Sequence, residues 1–226
     1  MTGLGEHFPE FQGGDAQVAP ADIDRYEVYQ IIGPQMGTFL WGTVVGTSTQ
    51  AKTVVFDQVL PDYPRSVSMK ILPASGSISG GTFTLTGKNQ FGVVQTESFA
   101  IGTAVDGGTA NGTKVFGTFT SCSGTIGTSD AGNATATLYP TAVGSVALFG
   151  LPAKIAGSAD VKLISFGSTG VAKAVNGGTI GAFVDATVHA IQAPNTITTP
   201  AADLTWINVL YKPTYDNKQK TKNAAL

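Results

Sequence analysis

Reactive side chains are scarce in this sequence. Its 226 residues include two histidines, one cysteine and two tryptophans, and Asp, Glu, Lys and Arg together make up 12%. General acid–base work, metal ligation and nucleophilic attack draw on His, Cys and clustered carboxylates. An enzyme is therefore not expected, and no catalytic residue, cofactor or metal is assigned. A lone cysteine forms no intrachain disulfide, so Cys122 is expected to be a buried, inert thiol. No run approaches the roughly 18 consecutive apolar residues of a membrane helix, and MTGLGEHFPEFQGG has neither the basic nor the apolar region of a signal peptide. Membrane association and export by the usual route are not expected. The net charge of −2 offers no basic field for phosphates, so no nucleic-acid partner is expected.

What is abundant is Gly and Thr, 29 of each. Short β-branched and aromatic runs alternate with period two between Gly-rich turns, which predicts about twelve strands and almost no helix. They are Tyr26 to Ile32, Thr38 to Val45, Thr53 to Val59, Val67 to Leu72, Thr82 to Thr86, Val93 to Ile101, Val115 to Thr120, Ala134 to Leu138, Ser145 to Phe149, Val161 to Ser165, Gly181 to Gln192 and Thr205 to Tyr211. Asp106-Gly107, Asn111-Gly112 and Asn176-Gly177 tolerate positive φ where strands reverse. Pro20 to Tyr29 is the one helical candidate, with Asp22 as its cap, and reads equally as an extended lead-in. Within Gly181 to Gln192, Val184, Ala186, Val188 and Ala190 alternate with Phe183, Asp185, Thr187 and His189, which places His189 on a wet face. A branched Cβ keeps an exposed strand extended, so the threonine content reads as a β-surface signature. The expected fold is all-β: an antiparallel β-sandwich, jelly-roll or Ig-like, built as one sandwich or as two packed β subdomains.

The two ends differ from this pattern and from each other. Six of the 15 carboxylates (Glu6, Glu10, Asp15, Asp22, Asp24, Glu27) fall in the first 27 residues, and four of the 13 basic residues (Lys212, Lys218, Lys220, Lys222) in the last 15. Residues 1–22 are expected to form an extended N-terminal arm, 23–212 the β-sandwich region and 213–226 a polar, Lys-rich tail. Phe8 and Phe11 in the first arm and Lys218, Lys220 and Lys222 in the second are the candidate interface residues.

Motifs of other classes fail on their details. Gly81 to Asn89 ends in Gly87-Lys88 but has five residues between its glycines and Asn89 where a phosphate loop needs Ser or Thr. Gly76 to Gly80 has Ile78 at the nucleophile position of a serine-hydrolase elbow. His7, His189 and Cys122 have no local partner at metal-ligand spacing. Asp57 and Asp62 flank a Pro-rich turn and read as loop residues. Trp41, Trp206 and Tyr211 offer a stacking platform for a sugar only if they are exposed, and core or interface packing is the expectation.

The segment Gly80 to Ser121 resembles a β-sandwich module recurrent in virion proteins of tailed bacteriophages. The resemblance lies in Thr86-Gly87 followed by Asn89-Gln90-Phe91-Gly92, in Gln95-Thr96-Glu97-Ser98-Phe99, and in Thr113, Lys114, Phe116, Thr118, Phe119, Thr120 and Ser121, with Phe149-Gly150-Leu151-Pro152 downstream. It implies a non-enzymatic structural role in a virion assembled in the host cytoplasm. A decoration or cement protein is expected, oligomerising and binding across major capsid subunits, so that its partners are the major capsid protein and copies of itself. The alternatives are a tail or neck subunit, as tube or adaptor, and a carbohydrate-binding β-sandwich.

Overall fold

A computed structural model describes residues 26–34, 40–46, 51–129, 132–141, 147–168, 171–193 and 204–214. The chain lays down β1 (Glu27–Ile32), β2 (Gly42–Gly46), β3 (Ala51–Thr53), β4 (Val55–Phe56), β5 (Val67–Pro73) and β6 (Ser77–Ile78). The long pair β7 (Gly81–Lys88) and β8 (Val94–Ile101) precedes the short β9 (Ala104–Val105) and β10 (Gly108–Asn111), then β11 (Thr118–Ile126) and β12 (Ala134–Pro140). The last third carries β13 (Leu148–Gly150), β14 (Val161–Ser168), β15 (Val171–Asn176), β16 (Val184–Asp185), β17 (Ala190–Gln192) and β18 (Leu204–Tyr211), with 3-10 turns at Ser158–Asp160 and Gly177–Phe183.

Two cores organise these strands. A five-stranded sheet (β10-β5-β12-β2-β4) and a four-stranded sheet (β3-β11-β7-β8) share one, in which Trp41, Met69, Ile71, Phe83, Phe99, Phe116 and Cys122 are buried. A second four-stranded sheet (β1-β18-β14-β15) and a three-stranded one (β13-β17-β16) share the other, around Ile31, Phe149, Ile164, Phe166, Ile207 and Tyr211. The fold is thus all-β and antiparallel, as expected. The first sandwich lies within the span of the second: β1 pairs with β18 from Glu27↔Tyr211 to Ile32↔Trp206, and the strands of the first sandwich lie between them in sequence.

Alternation explains the long strands. On β7, Phe83 and Leu85 point inward while Thr82 and Thr84 are exposed. Register continues the outer rows as Thr82, Ala100 and Thr125, then Thr84, Ser98 and Ser123, then Thr86, Thr96 and Ser121. These rows hold small or hydroxyl side chains and no charge, and five of the 29 threonines lie in them. Gly124 permits the approach of β11 to β7, because a Cβ there would run into the Thr82 carbonyl and the Phe83 ring.

Several expectations need correction. Gly181 to Gln192 is not one strand: it is a 3-10 turn, then the β16–β17 hairpin, closed by residues 186–189 with Asp185 opposite Ala190. His189 has φ +51 and is half-buried, so it does not share a wet face with Asp185 and Thr187. Asn176-Gly177 begins a 3-10 turn and joins no hairpin. Asp106 and Gly107 do have positive φ, but the strands they connect belong to different sheets. The strand placed at Val115 to Thr120 begins at Thr118, because Phe116 forms an isolated bridge with Arg65. The described part of Pro20 to Tyr29 enters β1 and is extended. The N-terminal arm 1–22 lies outside the described residues, as does the tail 213–226 apart from Pro213 and Thr214.

Candidate functional site

Several polar side chains meet at the seam between the two cores. The seam begins at the β7–β8 turn. Asn89 Oδ1 accepts the N–H groups of Phe91 and Val93, each at 3.0 Å, and Gly92 supplies the positive φ of +78 that closes the loop. Gln90 reaches out of this turn: its Nε2 donates to the Val188 carbonyl at 2.8 Å, holding the β16–β17 hairpin of the other core. The Phe91 ring meets His189 edge to face, with centroids 5.5 Å apart. His189 in turn accepts the Ile155 N–H at Nδ1 (3.4 Å), and its carbonyl accepts the Leu151 N–H at 2.9 Å.

The next motif fastens the loop before β11. Gln95 Nε2 donates to the Val115 carbonyl at 2.5 Å. Glu97 Oε1 accepts the Thr113 N–H at 2.6 Å, the Thr113 hydroxyl at 3.2 Å and the Lys114 N–H at 3.2 Å, and Lys114 Nζ reaches the Thr96 carbonyl at 2.6 Å. Desolvation pushes the Glu97 carboxyl above the usual carboxylate range, against the pull of these bonds and of Lys114. Its Oε2 is buried with no hydrogen-bond partner among the described residues, beside Gly112, whose missing Cβ makes the room.

Arg65 lies at the centre of the seam and is fully buried. Its guanidinium stacks 4.5 Å from the Phe149 ring of the second core and lies 5.9 Å from Trp41 of the first. It donates weakly to Asp62 (3.4 Å) and to the Thr141 carbonyl (3.4 Å). Burial lowers the Arg65 pKa to about 10 against the opposing charge of Asp62. Its backbone exchanges two hydrogen bonds with Phe116, while Pro64 accepts the Gly150 N–H and Ser66 binds Leu148 through both backbone and hydroxyl. Ser68 links to Asn111 and Thr141. Most of these groups are held by one another, Arg65 Nε, Gln90 Oε1 and Glu97 Oε2 being the exceptions, and among the described residues the arrangement is a clamp with no nucleophile–base pair.

The other candidates separate. Trp41 and Tyr211 are fully buried and present no face to a sugar; Trp206 is half-buried, its indole lying over Gly167. Cys122 is in the first core, with its pKa pushed up to about 12 by burial, while His189 is at the seam and His7 lies outside the described residues. Among the described residues no three His, Cys, Asp or Glu side chains converge as a metal site, and no helix is long and apolar enough to cross a membrane. Asp57 is exposed and Asp62 faces Arg65. Phe8, Phe11, Lys218, Lys220 and Lys222 lie outside the described residues. Sequence reasoning missed Arg65, Ser66, Ser68, Thr141 and Lys154. The aromatic and proline neighbours Tyr63 and Pro64 are the one local hint that Arg65 is unusual.

No family model matches the chain, and no curated protein matches it. Among solved structures it is similar to the infectious bursal disease virus Gx strain structure, at 12% identity and a TM-score of 0.23, covering 87% of this chain and 43% of that one. It is likewise similar to the VP2 subviral particle of infectious bursal disease virus (13% identity, TM-score 0.22) and to the Gt strain structure (14%, 0.22), each covering 85% of this chain and 38% of the other. The chain spans about two fifths of the length of these proteins. Superpositions this loose carry no information on topology or activity.

Proposed function

We propose that this chain is a non-enzymatic structural protein of a tailed-phage virion, and within that class a decoration or cement protein that oligomerises and binds across major capsid subunits. The observation that carries the reading is where the side chains of the phage-like motifs go. Asn89, Gln90, Phe91, Gln95 and Glu97 are all engaged in holding the two β units and their loops together. The motifs thus describe a rigid body and no reaction centre. Three outer rows of the β11-β7-β8 strands, ending at the exposed Lys88, add a surface of short, uncharged side chains. Such a surface can be covered by a neighbour without stripping water from a charge. Binding at many copies then stabilises the assembled shell by mass action.

The test is to locate the chain in an electron-microscopy map of intact particles. Density over the joints between capsid subunits is expected. Density in a ring at the neck or along the tail would replace the decoration role by that of an adaptor or tube subunit, and absence from the particle would overturn both. Deleting Met1 to Ala19 is expected to lower particle occupancy and heat resistance; unchanged values would remove the N-terminal arm from the account.

A further inference from the structure

We propose that β1 is an association edge, at which two copies of this chain pair about a two-fold axis at Tyr29 and join their β1-β18-β14-β15 sheets edge to edge. β1 is an outermost strand of its sheet, and Glu27-Val28-Tyr29-Gln30-Ile31-Ile32 has no Lys, no Pro and no bulge against β18 to guard a free edge. The Tyr63 hydroxyl accepts the Ile32 N–H at 3.0 Å and donates to the Ile32 carbonyl at 2.8 Å, so the main-chain groups of Ile32 point away from β18. That direction alternates along an antiparallel strand. The main-chain groups of Val28 and Gln30 therefore also point outward, while Glu27, Tyr29 and Ile31 bond to β18. Among the described residues nothing closes the Val28 and Gln30 rungs, and both side chains are exposed, Val28 to 71%. The edge of the β3-β11-β7-β8 sheet differs, because at β8 Gln95, Glu97 and Thr96 are tied to the loop before β11.

The pattern of open rungs selects the occupant. Val28 and Gln30 flank Tyr29 symmetrically, so a two-fold axis there sets Val28 opposite Gln30 of the second copy and Gln30 opposite its Val28. Each of these pairs is of the kind that exchanges two N–H···O=C bonds, which fills the open rungs of both strands. A longer partner strand would meet the Tyr63 hydroxyl at Ile32. β1 of the second copy begins at Glu27, which the axis sets opposite Ile31, and so stops short of that hydroxyl. The half-buried Tyr29 side chains become a cross-strand aromatic pair, and the two Glu27 carboxylates stay at opposite ends of the ladder. The inference rests on the reading that the chain associates with copies of itself, and it names the surface and the register.

The test begins with sedimentation equilibrium of the full chain, which is expected to show a monomer–dimer equilibrium. Gln30→Pro removes an outward N–H and no bond to β18, so the variant should stay monomeric with the parent's circular dichroism and urea midpoint. Register is read by oxidising an equimolar mixture of Val28→Cys and Gln30→Cys chains; Cys122 is buried and does not compete. Opposed residues of a hydrogen-bonded pair have Cα atoms about 5.5 Å apart, within disulfide reach, whereas like residues lie on the diagonal beyond it. The mixed disulfide should therefore dominate over either homodimer. A parent that is monomeric at millimolar concentration, a dimer that survives Gln30→Pro, or a mixture that forms the three disulfides in statistical proportion would each overturn the proposal. A monomer found on particles would overturn the pairing and leave the virion reading standing, while a dimer with this register that is absent from particles would do the reverse.

Discussion

Glu97 shows how one half-buried carboxylate can be both structural and a liability. Oε1 gathers three hydrogen bonds from Thr113 and Lys114, yet desolvation raises its pKa in the folded chain. The folded state therefore holds a proton more tightly than the unfolded state. Linkage then makes this group's contribution to stability largest below the unfolded pKa and progressively lost as pH rises through the folded one. Urea unfolding of the parent between pH 7 and pH 4.5 should carry this component, and Glu97→Gln should remove it. Glu97→Ala, which also loses the acceptor, should cost about 2 kcal/mol at pH 7. A parent and a Gln variant with parallel pH profiles would show that Glu97 does not titrate in this window. Arg65 is the opposite case, a cation kept charged in a nearly dry place by Asp62, Thr141 and two rings. Arg65→Met should destabilise by about 3 kcal/mol, because it strips a partner from the partly buried Asp62. Adding Asp62→Asn should recover part of that loss, a non-additivity that equilibrium unfolding of the four-member cycle measures.

At the scale of elements, the β7–β8 hairpin explains its own motif residue by residue. Gly87 is there because a Cβ would strike the Thr118 carbonyl and the Phe116 ring, where the β7–β11 register shifts between Phe119 and Ser121. Gly87→Ala should lower stability by about 1–3 kcal/mol, read as a drop in the urea midpoint at constant slope. Gly92→Ala meets no atom but must take a positive φ, so a smaller loss of about 1 kcal/mol is expected. How much of this was legible depended on whether local pattern and tertiary role agreed. β5, β7, β8, β12 and β18 were readable because each has one face in a core and one outside, so alternation survives in the sequence. Gly181 to Gln192 alternates equally well but is folded back on itself, because Asp185 accepts the N–H groups of Thr187 and Val188 and His189 takes the left-handed conformation. Turn rules look for Gly or Asn at such positions and find neither. β15 was missed because Val171–Asn176 follows Gly170 and ends at Gly177, and reads as loop without its partner β14. The clamp residues in the β7–β8 turn and on β8 were visible through their resemblance to a known module. Arg65 and Lys154 were not, because a side chain's charge says nothing of whether it is buried or which ring it lies against.

For the molecule as a whole, the open question is whether its two cores unfold as one. Topology argues that they do: the second core needs β1 and β18 together, and the whole of the first sandwich lies between them in sequence. The seam argues the same, since Arg65 touches Trp41 on one side and Phe149 on the other, and Gln90 ties the β7–β8 turn to the β16–β17 hairpin. Cys122 provides the probe. It is fully buried in the first core, and its thiol is pushed up to about 12, so reagent can reach a thiolate only after opening. When reclosing outpaces reaction, the labelling rate reports the open population. Ile207 belongs to the second core, and Ile207→Ala should cost at least about 2 kcal/mol. If the cores are coupled, labelling of Cys122 should accelerate by roughly 30-fold, the factor that corresponds to that free energy. A labelling rate equal to the parent's, with the second core measurably weakened, would mean that the first sandwich holds alone and that the seam joins two independent folding units.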